Sequence, residues 1–413
     1  MSGCGQNRAR DLAEQVARSS RGKLIAFLAA RSGDLAAAED VLSEAFASAL
    51  ASWPHTGCPE NPEAWLLTAA RRKLIDQFRA TRETPSSDEL EQLACVATEA
   101  ADNPLPDRRL ALLFACTHPA IDAAVRAPLM LQVVLGLEAA QIASAFLTSP
   151  AAMAQRLVRA KAKIRDARIP FSIPDRKEMP ERLQSVLDSI YACFSEGWSD
   201  PAGVDSTRRE LAVEAIFLGR LLTELLPDEP EAAGLLALML YSEARRPARR
   251  TSEGAFVPLA QQDRTLWDAA MIEEAEAALH SAQRAGRIGR YQLEAAIQSA
   301  HVEGARTGSV PWTAILTLYN ALVELTSSPV ASINRALAIA EVESPAAGLA
   351  ALDTVSHDPR LDTYQPYWAV RAHLLTRAGD HTAACHAYQL AIGLERDPAL
   401  REYLARCSDE LSE

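Results

Sequence analysis

Gly136-Leu-Glu138-Ala-Ala-Gln141-Ile142-Ala143-Ser-Ala-Phe146-Leu147-Thr148-Ser149-Pro150-Ala-Ala152-Met153-Ala-Gln155-Arg156-Leu157-Val-Arg159-Ala160-Lys161-Ala-Lys163-Ile164-Arg165-Asp166-Ala-Arg168 is the stretch on which the reading turns. A short helix over 138–146 is followed by a turn, Leu147-Thr148-Ser149. Ser149 can cap the next helix through its hydroxyl, and Pro150 suits a first helical position, where no backbone donor is needed. In that second helix Met153, Leu157, Ala160 and Ile164 recur at three and four and form one buried stripe. Gln155, Arg156, Arg159 and Lys163 fall outside the stripe. Between 156 and 168 lie six basic residues and one acid, Asp166. A capped helix with one basic face after a tight turn is a helix-turn-helix, whose second helix can enter a major groove. The basic groups can offset phosphate charge, while Gln155 and Arg156 can reach base edges. The alternative is a solvated basic face on a structural helix.

Working back toward the N-terminus, Pro54-His-Thr-Gly-Cys-Pro59-Glu-Asn61-Pro62 is a loop of turn formers. Asn61 is placed to cap a helix that Pro62 begins. Leu67, Leu74 and Phe78 form its expected inner stripe. Arg71, Arg72, Lys73, Arg79 and Arg82 are expected on its solvent side, with Asp76 among them. An aromatic at Trp65 beside basic residues and a loop suits unstacked single-stranded DNA; taken alone, Trp65 reads equally as core. Earlier still, Asp34-Leu-Ala-Ala-Ala-Glu39-Asp40-Val41-Leu42-Ser-Glu44-Ala-Phe46 predicts an amphipathic helix with an acidic outer face. That face serves either solubility or protein docking.

The rest of the chain predicts helix almost throughout, so the expected fold class is all-α. Two small helical domains cover residues 10–82 and 108–169, and a helical-repeat domain covers 178–413. Residues 83–107 carry seven acidic residues and no basic ones, which reads as an acidic linker. Near the C-terminus Trp368, Ala372, Gly379, Ala384, Tyr388 and Ala391 fall at tetratricopeptide spacing, with Pro398 two places late. Residues 334–352 hold a weaker relative of the same unit. Arg245, Arg246, Arg249, Asp263 and Arg264 are expected in a loop between helices. There they form either a regulatory contact or an ion-pair network.

The formal net charge is −12. Residues 1–170 hold 20 Lys and Arg against 19 Asp and Glu, so the acidity belongs to the rear and does not argue against nucleic acid at the front. The seven cysteines include no C-x-x-C pair, and Cys116 with His118 lacks a second pair at finger spacing. Reduced thiols and no metal are therefore expected. The sequence shows no apolar run of membrane-spanning length and no signal peptide, which predicts a cytoplasmic protein with no membrane contact. It also lacks a glycine-rich phosphate loop and a nucleophile set. No enzyme activity and no cofactor are expected.

Together these features resemble the extracytoplasmic-function sigma factors of the sigma-70 superfamily. Asp34-x4-Glu39-Asp40-x3-Glu44-x-Phe46 resembles the helix that grips the RNA polymerase clamp. Asn61-Pro62-x-x-Trp65-Leu66 and Ala70-Arg71-Arg72-x3-Asp76-x2-Arg79 resemble the loop and helix that open the −10 element. Residues 136–168 resemble the module that reads the −35 element. The likeness extends to the subgroup with a tetratricopeptide-like C-terminal extension. It is carried by Leu113-Phe114-x-Cys116-x-His118-Pro119, Arg245-Arg246-Pro247-Ala-Arg249, Gln262-Asp263-Arg264-x2-Trp267 and Ser328-Pro329-Val330-x3-Asn334-Arg335-Ala336.

The resemblance implies two partners, core RNA polymerase and promoter DNA. Asp34, Glu39, Asp40, Glu44 and Phe46 would dock the enzyme. Asn61, Trp65, Arg71, Arg72, Lys73, Asp76 and Arg79 would hold −10 DNA. Ser149, Ala152, Gln155, Arg156, Arg159 and Lys163 would contact −35 DNA. The repeats would bind a further protein or fold back on the front. Gln141 stands where the family usually has Glu, Ala152 where it has Thr, and Gln132 where a basic residue is common. Two other readings remain open: a DNA-binding regulator acting without polymerase, and a repeat scaffold with a degenerate front.

Overall fold

The computed structural model describes residues 2–81, 107–146, 148–198 and 206–411. The expected linker, apart from Asp107, lies outside them. The all-α expectation holds: among the described residues the sole β feature is an isolated antiparallel bridge between Arg250 and Phe256. The chain divides into two compact units, residues 1–193 and 194–413.

The front unit begins with α1 (Ser2–Ser32), α2 (Leu35–Thr56) and α3 (Pro62–Thr81). Leu24, Ile25 and Leu28 of α1, Leu35, Val41 and Leu42 of α2, and Leu66, Leu67 and Leu74 of α3 are buried. Each such side chain contributes roughly 1.5–3 kcal/mol when removed from water. Next come α4 (Arg109–Cys116) and α5 (Ala123–Met130), which runs into a π-helical turn at Leu131–Leu135. Gly136, at φ +78°, ends that turn in the left-handed region that a side chain disfavours. Then follow α6 (Ala139–Ala145) and α7 (Pro150–Asp166).

The helix α8 (Met179–Trp198) runs across the division at 193. The sequence predicts an extension from 178 onward; this helix instead contributes most of its length to the front unit. Arg182 donates to the Phe114 carbonyl at 2.6 Å, and Arg126 reaches Ser185 at 3.5 Å. Leu183, Val186, Leu187 and Ile190 are buried.

The rear unit contains α9 (Ser206–Leu225), α10 (Pro230–Ala244), α11 (Ala269–Arg284), α12 (Arg290–Thr307), α13 (Trp312–Thr326), α14 (Pro329–Val342), α15 (Pro345–Asp353), α16 (Gln365–Ala378), α17 (His381–Leu394) and α18 (Pro398–Asp409). From α12 onward each helix packs on its sequence neighbours, the pattern of a quasi-one-dimensional helical array. Close approach depends on small residues. A Cβ at Gly348 would sit 2.7 Å from Ala340 Cβ and 2.8 Å from the Ala336 carbonyl oxygen. Ala372, Ala387, Tyr388 and Ala391 share one cluster with Leu404.

Candidate nucleic-acid interface

α7 forms as its sequence dictates. Ser149 is extended, and its hydroxyl accepts from Ala152 N at 3.2 Å, with Pro150 opening the helix. Met153, Leu157, Ala160 and Ile164 are buried, while Gln155, Arg156, Arg159 and Lys163 are exposed. Ala152 is half-buried. At 100° per residue the basic side chains divide into two flanks. Arg156, Arg159 and Lys163 line an open groove beside Asp122 and Val125. Lys161 and Arg165 lie on the other flank, toward α2.

The helix before it starts with one of the two hydrogen bonds of a capping box. Gln141 Oε1 accepts from Glu138 N at 2.9 Å, an arrangement that Glu or Gln satisfies equally. The departure from Glu at this position thus leaves the turn intact. His118 Nδ1 accepts from Ala120 N at 3.1 Å, so this histidine closes a turn. Among the described residues no group of His, Cys, Asp and Glu is arranged to hold a metal ion.

The acidic helix departs from expectation. Asp34 is the N-cap of α2, accepting from Ala36 N at 2.9 Å and Ala37 N at 3.1 Å, and it lies 3.7 Å from Arg165. Glu39 is not on an outer face: its side chain is 11% exposed and pairs with both Arg21, at 3.8 Å, and Lys161. Burial pulls the Arg21 guanidinium down from its ordinary value, and Glu39 pulls it back up. Asp40 and Glu44 do face solvent, Glu44 with Lys73 at 2.9 Å. Phe46 is half-buried and lines an apolar groove with Ala13, Leu50 and Pro54.

In α3 the cap is as read, with Asn61 Oδ1 accepting from Ala64 N at 3.0 Å. Trp65 is half-buried, edge-on to Trp53 at 5.5 Å. Arg71 is a correction. It is buried, 4.7 Å from the Phe27 ring centroid, because its position on the helix turns it toward α1 and the aromatic face accepts the cation. Arg72 and Asp76 are exposed and Lys73 is half-exposed. The side chain of Arg79 and all of Arg82 lie outside the described residues, as does the side chain of Phe78.

The rear arginines have a local role. Arg245 donates to the Tyr241 carbonyl at 3.1 Å and to Gln298. Arg246 reaches the Gly197 carbonyl at 3.2 Å and Glu243 at 2.7 Å, and Arg264 reaches the Ala305 carbonyl. Arg249 stacks 3.7 Å from the Trp198 ring centroid and reaches the Trp198 carbonyl at 3.4 Å. Asp263 caps the turn before Thr265 at 2.9 Å. The carbonyls at 197, 198, 241 and 305 lie in last helical turns, where acceptors are left without intrahelical partners. Burial, together with neighbouring arginine charge, pulls Arg245 and Arg249 down to about 10. Arg245, Arg246 and Arg249 thus contact helix-end carbonyls within the unit, while Asp263 and Arg264 are exposed.

Sequence reasoning missed Arg21 and Lys161. Nothing local marks them, since Lys161 and its partner Glu39 are 122 residues apart.

The sigma-70 region 2 family matches residues 16–84, which covers the second half of α1 together with α2 and α3. A family of unknown function (DUF6596) matches residues 182–283. An uncharacterised protein of Rhizobium meliloti (strain 1021) is 41% identical over 382 residues, covering 91% of this chain and 90% of that one. No solved structure matches the chain. Among the described residues no helix is long and apolar enough to cross a membrane. Region 2 brings a sigma-type role in transcription initiation by RNA polymerase. The Rhizobium relative matches along nearly the whole length, so the chain belongs to one family with it, and region 2, folded from α1 to α3, gives its front a sigma-70 segment.

Proposed function

We propose that the chain is a sigma factor of the extracytoplasmic-function type, carrying a tetratricopeptide-like extension. α2 docks on the clamp of core RNA polymerase through Asp40, Glu44 and Phe46. The loop before Asn61 and the exposed side of α3 capture unstacked −10 bases, using Trp65, Arg72 and Lys73. α7 enters the major groove of the −35 element with Gln155 and Arg156 on base edges and Arg159 and Lys163 on phosphates. The chain supplies recognition, and the polymerase supplies the chemistry. The rear helical array receives a signal or a partner and controls the front.

The observation that carries this reading is the one-sided exposed basic flank of α7, in the same compact unit as the region 2 helices. Its test is run-off transcription from genomic fragments with reconstituted polymerase. Discrete start sites that require the chain, with protection at −35 and −10, are the expected result. Binding to DNA without binding to polymerase would favour a polymerase-independent regulator and sink the sigma reading.

A further inference from the structure

The loop between α10 and α11 runs over 24 residues, 245–268, a length that ordinarily marks a functional connection. Midway it folds into a small hairpin. Val257 N donates to the Arg249 carbonyl at 2.9 Å, Thr251 N to the Ala255 carbonyl at 2.9 Å, and Arg250 pairs with Phe256 in the isolated bridge. Gly254 forms the tip at φ +89°, in the left-handed region that favours glycine. Arg250 Nη1 donates to the Gly254 carbonyl at 3.0 Å, so the arginine itself holds the tip.

The same arginine reaches a distant helix. Arg250 Nη2 meets Asp397 Oδ2 at 2.5 Å, across 147 residues. Their side chains are 25% and 16% exposed, so losing either partner leaves the other charge poorly compensated. Phe256 stands edge-on to Tyr403 of α18, with ring centroids 5.3 Å apart. Asp397 is also the N-cap of α18, its Oδ1 accepting from Ala399 N at 3.0 Å. One carboxylate therefore both starts α18 and ties it to the loop. This contact departs from the rest of the array, where helices pack on their sequence neighbours and α18 rests on α17. In an array built on nearest-neighbour contacts, a helix at the end of the series opens first.

We propose that the hairpin at 249–257 is a clasp that holds α18 down, and that releasing it lets α18 come away while the rest of the rear unit stays folded. The tie is one ion pair and one ring contact, so the unit has two states that differ at a single place. The clasp lies wholly within the rear unit and stands whether or not the front reads a promoter.

The test is native-state hydrogen exchange on the full chain at several low urea concentrations. Mass spectrometry follows peptides from α18, from the hairpin, from α12 and, as a control, from α2. Wild type is compared with two variants. Asp397→Asn keeps a cap acceptor and presents an amide to Arg250 in place of the carboxylate oxygen. Arg250→Ala combined with Phe256→Ala removes both ties from the loop side and leaves the cap of α18 intact. Both variants should speed exchange in α18 roughly tenfold, the ratio for loss of one hydrogen bond to a charged group, with α2 unchanged. The urea dependence of α18 should be shallower than that of α12, because little surface is exposed when one helix opens. Asp397→Asn should also speed exchange in the hairpin, since the tie is reciprocal. Unchanged α18 exchange in either variant overturns the clasp. A urea dependence in α18 as steep as in α12 overturns it too, since α18 would then open only with the whole unit.

Discussion

Cys116 sits at the end of α4 with its thiol wholly buried, and burial, reinforced by the Glu39 charge, pushes its ionisation far above the ordinary thiol value. A thiol that cannot ionise does not alkylate. In the folded chain Cys116 should resist iodoacetamide while half-buried Cys58 reacts, and denaturant should expose Cys116 together with unfolding of the front unit. Mass mapping of the alkylated peptides checks this. His301 offers a second residue-scale test. Burial, then the nearby Arg245 charge, lowers it from 6.5 to about 4. Above pH 6.5 the folded and unfolded states both hold it neutral, so it contributes no pH dependence there. As pH falls from 6.5 toward 4, the unfolded state binds the proton first, and stability drops by about 1.4 kcal/mol per pH unit. The edge-on ring of Trp312, 5.6 Å away, reports the transition by fluorescence. A His301→Gln variant should lose this part of the slope; an unaltered slope would exclude the histidine as its source.

At the scale of single elements, the caps and the exposed flank of α7 are the parts to perturb. Asn61→Ala removes the acceptor for Ala64 N and should cost about 1 kcal/mol of front-unit stability, measured by urea unfolding. On α7, Lys163→Ala should weaken promoter binding evenly across sequences and lower the salt slope of the binding constant by about one. Arg156→Ala should instead cost about 1–3 kcal/mol on the cognate −35 sequence and relax preference at one position. Equal losses on every sequence for both variants would place Arg156 on phosphate. These elements were legible in the sequence because their signals are local. The Ser149-Pro150 start, the Asn61-Pro62 start and the stripe at 153, 157, 160 and 164 each depend on residues within one or two turns. Arg71 was not legible. Its charge predicts exposure, and only the placement of Phe27 on a neighbouring helix makes a buried site for it.

For the whole molecule, the division at 193 has a practical consequence. A chain ending at residue 178 loses Arg182 from the Phe114 carbonyl and the buried Leu183, Val186, Leu187 and Ile190. Each apolar side chain contributes roughly 1.5–3 kcal/mol, enough together to unfold a marginal domain. A chain ending at 198 keeps them. The shorter truncation should aggregate or melt without a cooperative transition, and the longer one should melt cooperatively by calorimetry. Matching melts for the two would show that α8 is dispensable to the front.

The sequence by itself determined the all-helical class, the caps, the acidic rear and the basic flank of α7, because each follows from composition or from spacing within a few turns. Only the tertiary structure decided which charges are free. Glu39 and Lys161 meet across 122 residues. Arg245, Arg246 and Arg249 turn to helix-end carbonyls. Burying an ion is tolerable only where a distant element supplies its partner, and that pairing is a property of packing that no local pattern encodes.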